Sequence, residues 1–238
     1  MQENIFVILR FANERSFPLA VEALAQETPH YAVIEAYPFS KSLQEMFKIG
    51  TDLPFDYLLA LDADVILHPG IFKKIAAEAA RCEFFLDFLV MDKFRGRCCS
   101  GCHLYLNKYS SSLSKYSLAL DSTRPENQLV IDFAKNYHLK LLRSSLVVGL
   151  HDYEQYYKDL YAKYYRRAHR RKYEAGPLKH VIEARKSFFL GDKDFDVVLK
   201  GLSDGIVSDL KPFPLFNAQY YPSIETLLPL NEKLPLKG

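Results

Sequence analysis

The chain of 238 residues carries a formal net charge of +2 and is 49% hydrophobic and 25% charged, a composition that describes a packed protein and excludes a disordered one. So small a charge gives no electrostatic argument for nucleic acid, and no stretch approaches the roughly 18 unbroken apolar residues that span a bilayer. The start, MQENIFVILRFANERSF, has acids where a secretion signal wants bases, so a cytoplasmic protein is expected.

Asn4 to Arg10 (NIFVILR) reads as a buried first strand, Phe17 to Gln26 as a helix after the Ser16-Pro18 start signal, and Tyr31 to Ala36 as a second strand. This is a βαβ opening without a glycine-rich phosphate loop. Ser42 to Thr51 has Leu43, Met46, Phe47 and Ile49 at helical spacing and leads into FDYLLALDADVILHPG, residues 55–70. There an apolar run delivers Asp62 and Asp64 before Val65, Ile66 and Leu67 resume the pattern. Side chains alternate along a strand, so both carboxylates are expected to face one cleft at the strand's end. Two ionised groups held that close repel unless a cation sits with them. Oxygen ligands suit Mg2+ or Mn2+, and such an ion keeps positions open for substrate phosphates.

Past the turn at Pro69-Gly70, Ile71 to Arg81 reads as a helix. Phe84 to Asp92 and Cys99 to Leu106 read as strands joined by the basic turn Lys93-Phe94-Arg95-Gly96-Arg97, and Lys108 to Ser117 reads as a loop or frayed helix. The four cysteines, Cys82, Cys98, Cys99 and Cys102, lack a second separated ligand pair for zinc and read as reduced thiols in a packed strand. Asp121 to Lys135 opens with helix-start chemistry at Pro125 and Glu126, and Leu141 to Leu150 is a further strand ending at His151-Asp152.

From Tyr153 the character changes. Tyr153, Tyr156, Tyr157, Leu160, Tyr161, Tyr164 and Ala168 line one side of a helix, with Lys158, Lys163, Arg166 and Arg170 mainly off it. Residues 153–172 thus offer a surface for peripheral contact with an anionic membrane, although packing on the main domain is the expected arrangement. Leu178 to Phe189 reads as another helix, and the tail from Lys211, with Pro212, Pro214, Pro222, Pro229 and Pro235, as an extended segment.

The Asp62-x-Asp64 strand, in this order of elements, resembles the DxD motif of family-two-like glycosyltransferases of the GT-A fold. The resemblance covers roughly Asn4 to Asp152. It implies an α/β fold with a mostly parallel, Rossmann-like sheet flanked by helices over residues 1–152 and a helical extension with a Pro-rich tail over 153–238. It also implies metal-dependent transfer of a sugar from a nucleotide-diphosphate donor to a glycan or other acceptor hydroxyl, inverting rather than retaining. Arg10, Phe11 and Ala12 would then lie beside the nucleotide base, Asp62 would contact donor ribose or a metal-bound water, and Asp64 and His151 would ligate Mn2+ or Mg2+. Glu126 or Asp121 would be the catalytic base. Two rivals stand beside it. One is a haloacid-dehalogenase-like phosphatase in which Gly191-Asp192-Lys193-Asp194 is the late acidic motif. The other is a non-catalytic sugar-nucleotide-binding domain.

Overall fold

In the computed structural model, residues 4–35, 39–116, 125–170, 176–188, 191–208 and 223–236 are described. The elements run β1 (Ile5–Phe11), α1 (Phe17–Glu27), β2 (Tyr31–Glu35), α2 (Phe39–Thr51), β3 (Tyr57–Asp62), β4 (Val65–Leu67), α3 (Ile71–Ala79), β5 (Phe85–Asp92), β6 (Arg97–Leu106), α4 (Ser110–Leu113), α5 (Pro125–Tyr137), β7 (Leu141–His151), α6 (Tyr157–Arg170), α7 (Gly176–Phe188), α8 (Lys193–Val207) and α9 (Ile224–Leu227). The first strand, the Asp62 strand and the helix after Gly70 lie within two residues of their sequence expectations.

The seven strands form one sheet in the order β2-β1-β3-β6-β5-β7-β4. β2-β1-β3 are parallel, as expected of a βαβ opening. β6 then runs antiparallel to both β3 and β5, because only a short hairpin turn joins β5 to β6. β7 returns parallel to β5, and β4 pairs antiparallel with β7, so the α/β fold carries a mixed sheet. One face is covered by α1 and α3 around Leu61, Ile75 and Phe88, the other by α2 and α5 around Phe47, Phe84 and Phe133.

The sheet order forces a curl. β3 and β4 are four strand positions apart, about 19 Å in a flat sheet at roughly 4.8 Å per strand, yet the three-residue step from Asp62 to Val65 reaches only about 10 Å. Closing that distance bends the sheet until the end of β7 meets the turn after β3: Val65 lies opposite His151, and the Asp152 amide donates to the Asp64 carbonyl at 3.0 Å. Thus the residues at the carboxyl ends of β1, β3, β5 and β7 converge on one rim.

A third apolar cluster is built by α6, α7 and α8, with Phe94 of the β5-β6 turn at its edge. α8 presents Gly201 and Gly205 to α6, where an added Cβ would lie 2.7 Å from the Tyr161 carbonyl oxygen and 2.2 Å from that of Tyr165. The aromatic face of α6 is therefore spent on α8. Tyr157, Tyr161, Tyr164 and Tyr165 are buried, as the packing expectation for residues 153–172 requires. The basic residues do not all solvate its outer side, since Arg166 is buried and Lys163 turns into the rim. Among the described residues no helix is long and apolar enough to cross a membrane.

Beyond α9 the chain runs back across the molecule. Both carboxylate oxygens of Glu232 accept the first amides of α6, from Tyr157 at 2.7 Å and Lys158 at 2.9 Å, satisfying donors that a helix start leaves open. Lys233 reaches Asp194 and Glu154, and the Leu234 carbonyl accepts Arg15 Nε at 2.7 Å. Pro212, Pro214 and Pro222 lie outside the described residues.

Candidate active site

The Asp62 and Asp64 side chains part company. β3 ends at Asp62, and Ala63-Asp64 form a turn, so strand alternation no longer holds their carboxylates on one side. The turn is fixed from below: the Ala63 amide donates to the Arg10 carbonyl at 2.9 Å, and the Ala63 carbonyl accepts Ser16 Oγ at 2.7 Å, itself held by Gln155. Asp62 turns to Arg10, whose Nε lies 2.7 Å from it. Asp64 turns the other way, to His151 Nε2 at 3.1 Å and Lys163 Nζ at 3.4 Å. The two carboxylates therefore do not face one cleft here: Asp62 is paired with the buried guanidinium of Arg10.

One group that could hold a cation is Asp64, His151 and Asp152, whose ligand atoms lie within 4.8 Å of one another. Oδ1 of Asp64 and Oδ2 of Asp152 are buried without a hydrogen-bond partner, and orphaned buried carboxylate oxygens mark a place for an ion. Asp152 also sits at φ 60°, in the left-handed region that Asp enters more readily than most residues. Lys163 Nζ bonds Asp152 at 2.7 Å and stands in the group as its resident cation. Burial alone would raise Asp64, but His151 and then Lys163 outweigh it and hold its carboxyl well below the usual range. Burial would likewise lower His151; Asp152 and Asp64 prevail and keep it an imidazolium. A metal arriving here must displace that proton and the lysine.

On the other side of Asp62 is a second ionic cluster. Arg10, only 2% exposed, bridges Asp62 to Glu126, with Nη1 donating to Oε2 at 2.9 Å, and its guanidinium lies 4.7 Å from the Phe39 ring centre. Oε1 of Glu126 accepts the Tyr105 hydroxyl at 2.5 Å and lies 3.0 Å from His103 Nδ1. Against the burial that would raise it, Arg10 and His103 hold Glu126 well below the ordinary carboxylate value. Asp87 completes the cluster, accepting Ser100 Oγ at 2.7 Å and Arg143 Nε at 2.8 Å.

His103 is opposed by burial, but Glu126 and Asp87 push it up to about 9 from 6.5. A raised histidine contributes stability that is whole below pH 6.5 and lost as pH climbs through 9, since only the folded state keeps the proton over that window. Urea unfolding is therefore expected to show stability falling by a few kcal/mol between these limits, with His103→Gln flattening the decline; an unchanged slope in that variant would place the proton elsewhere.

Of the other expected residues, Phe11 packs against Phe17 with ring centres 4.2 Å apart, and the Ala12 amide donates to Glu14 Oε2 at 2.6 Å. Asp121 lies outside the described residues. Glu14 was not legible as a site residue: burial, then Asp64, push it up to about 7. Asp192 and Asp194 form no second acidic motif for a phosphatase. Asp192 caps α8, and Asp194 is ion-paired with Lys93 at 2.6 Å and with Lys233 at 2.5 Å. At Gly101 an added Cβ would lie 2.5 Å from Val90 Cγ2, so β6 packs closely on the β5 side chain there.

No family model matches the chain, and no curated protein matches its sequence. Solved structures do resemble it. A mannosyltransferase from Pyrobaculum calidifontis in complex with GDP-Man and Mn2+ aligns at 11% identity and TM-score 0.47, over 87% of this chain and 76% of its own. S. aureus TarS (residues 1–349) aligns at 10% identity and TM-score 0.42, over 86% and 81%. A glycosyltransferase involved in glycosylating the major capsid of PBCV-1 aligns at 11% identity and TM-score 0.41, over 59% and 81%. All three TM-scores lie below 0.5, so the functional conclusion rests on the geometry of the rim itself.

Proposed function

We propose that the chain is a metal-dependent glycosyltransferase of the GT-A kind, moving a sugar from a nucleotide-diphosphate donor to an acceptor hydroxyl. The observation that carries this reading is the Asp64, His151 and Asp152 group, with its orphaned buried oxygens, at the carboxyl rim of an α/β sheet, where such folds bind their ligands. Asp64, His151 and Asp152 are the residues that would hold Mn2+ or Mg2+, and the ion, when bound, would supply charge neutralisation for a leaving diphosphate.

The chain's own residues do the rest. Lys163, released from Asp64 and Asp152, would supply a flexible cation for donor phosphate oxygens. Arg10 fixes the Asp62 carboxylate at the end of β3, leaving its outer oxygen for a donor hydroxyl; the Asp62 side chain is 38% exposed while Arg10 is sealed beneath it. The phosphatase alternative lacks its late acidic motif, and Asp62 as a nucleophile would have to attack from within an ion pair with Arg10.

A thermal-shift panel of nucleoside diphosphates and sugar nucleotides, with and without Mn2+ or Mg2+, tests the proposal. A cognate donor at about 100 times its dissociation constant adds about 2.7 kcal/mol of stability, and chelator should remove the shift. Asp64→Asn is expected to weaken donor binding about 10-fold to 100-fold while the protein stays folded. Equal donor binding in wild type and Asp64→Asn, with or without metal, would overturn it.

A further inference from the structure

We propose that Asp92, Cys99 and His151 form a second cation site, for a thiophilic divalent ion of the zinc kind, and that its occupation antagonises the first. The three residues end β5, begin β6 and end β7, and their ligand atoms lie within 4.8 Å of one another. His151 Nδ1 is 3.6 Å from Asp92 Oδ2, and Cys99 Sγ is 4.0 Å from the same oxygen. Tetrahedral zinc with bonds of about 2.0 to 2.3 Å wants ligand atoms roughly 3.3 to 3.8 Å apart, so the group needs little adjustment. Two features point to a ligand here. Nδ1 of His151 is buried without a hydrogen-bond partner, and Asp92, 3% exposed, is sealed in the interior. A carboxylate, an imidazole and a thiol are also a donor set that no hard ion would select.

The His151 imidazolium and Arg95 Nε, each 3.6 Å from Asp92 Oδ2, are the present counter-ions, and Arg95 is the one a metal displaces. Arg95 stands on the β5-β6 turn and can swing to solvent. On binding, the Cys99 thiol and the Nδ1 of the His151 imidazolium each give a proton to water, and the thiolate and the freed Nδ1 lone pair take the metal.

The antagonism follows from the imidazole. Its Nε2 faces Asp64 at 3.1 Å, while its Nδ1 lies 3.6 Å from Asp92 and 3.5 Å from Asp152. A neutral ring with a metal on Nδ1 carries its proton on Nε2 and has no lone pair left there. A zinc-type ion at Asp92 and Cys99 therefore withdraws His151 from the first site. This antagonism rests on the function proposed above, whereas the second site itself does not.

Cobalt alone tests the site. Wild-type protein with one equivalent of Co2+ should show a near-ultraviolet thiolate-to-cobalt band that Zn2+ bleaches. Cys99→Ser should lose the band, while Cys98→Ser, one residue along the strand and so on its other face, should keep it. No band in wild type, or one that survives Cys99→Ser, overturns the site. Antagonism is read by Mn2+ electron paramagnetic resonance without donor: Zn2+ should lower Mn2+ affinity at least about 10-fold in wild type and leave it unchanged in Cys99→Ser. Equal Mn2+ affinity with and without Zn2+, in protein that shows the band, overturns the antagonism alone.

Discussion

Replacing Arg10 by Met is expected to destabilise the protein by about 3–5 kcal/mol, the cost of stranding buried charge after one partner of an ion cluster is removed. Among the described residues Arg10 is the one cation bonded to Asp62, and with His103 it balances the buried Glu126. Met matches the apolar stem and leaves the carboxylates, so the loss reads electrostatics more than packing. The deficit should narrow at acid pH, where a protonated Glu126 is cheaper to bury. Adding Glu126→Gln should recover part of it, since the neutral amide still accepts the Tyr105 hydroxyl. Urea unfolding at two pH values measures all three; a deficit under about 1 kcal/mol would mean that the pair behaves as a solvent-screened surface bridge.

Glu126→Gln alone separates two roles for that residue. A general base needs an open oxygen within hydrogen-bond reach of the acceptor hydroxyl and a pKa near the working pH, and its removal lowers turnover about 10²-fold to 10⁴-fold. Here both oxygens are engaged, the residue is 6% exposed, and two cations hold it ionised far below neutrality. The geometry favours a positioning role, in which Glu126 orients Arg10 and through it Asp62. The expected result is a loss of about 2–3 kcal/mol of stability, the worth of charge-assisted hydrogen bonds, and weaker donor binding. Turnover at saturating donor should fall less than about 10-fold, with an unchanged pH profile. A 10²-fold or greater drop in kcat with donor affinity intact would restore the base.

The strands were legible because burial on both faces writes an unbroken apolar run, as in Ile5–Phe11 and Tyr57–Asp62. α8 was not, because the acids at its start drew the eye to a motif, whereas Asp192 is simply its cap. Of the rim, Asp64 and His151 could be named because the resemblance fell on residues next to strand ends. Asp152 stood beside them in the chain, unmarked until its orphaned oxygen was known. Lys163 reads as a solvated helix residue, and only the docking angle of α6 on α8 delivers its ammonium to Asp64. Likewise Glu126 meets its partners Arg10 and His103 through the packing of α5 on the face of β1, β3 and β6, across 116 residues in the first case. Such long-range pairings leave no periodic trace.

The run of chain after α9 has a consequence in time. Arg15 and the Leu234 carbonyl that fastens it are 219 residues apart, which at about 5–20 residues per second is roughly 10–45 s of synthesis. Until Glu154 is made the loop after the first strand lacks its ion pair, and until Leu234 is made it lacks its last clasp, while the first amides of α6, finished some 75 residues before Glu232, go without their cap. A nascent chain thus holds its sheet well before its rim, and ribosome-stalled chains ending before Glu232 should be cut by protease near Arg15 and Glu154 while the strands resist.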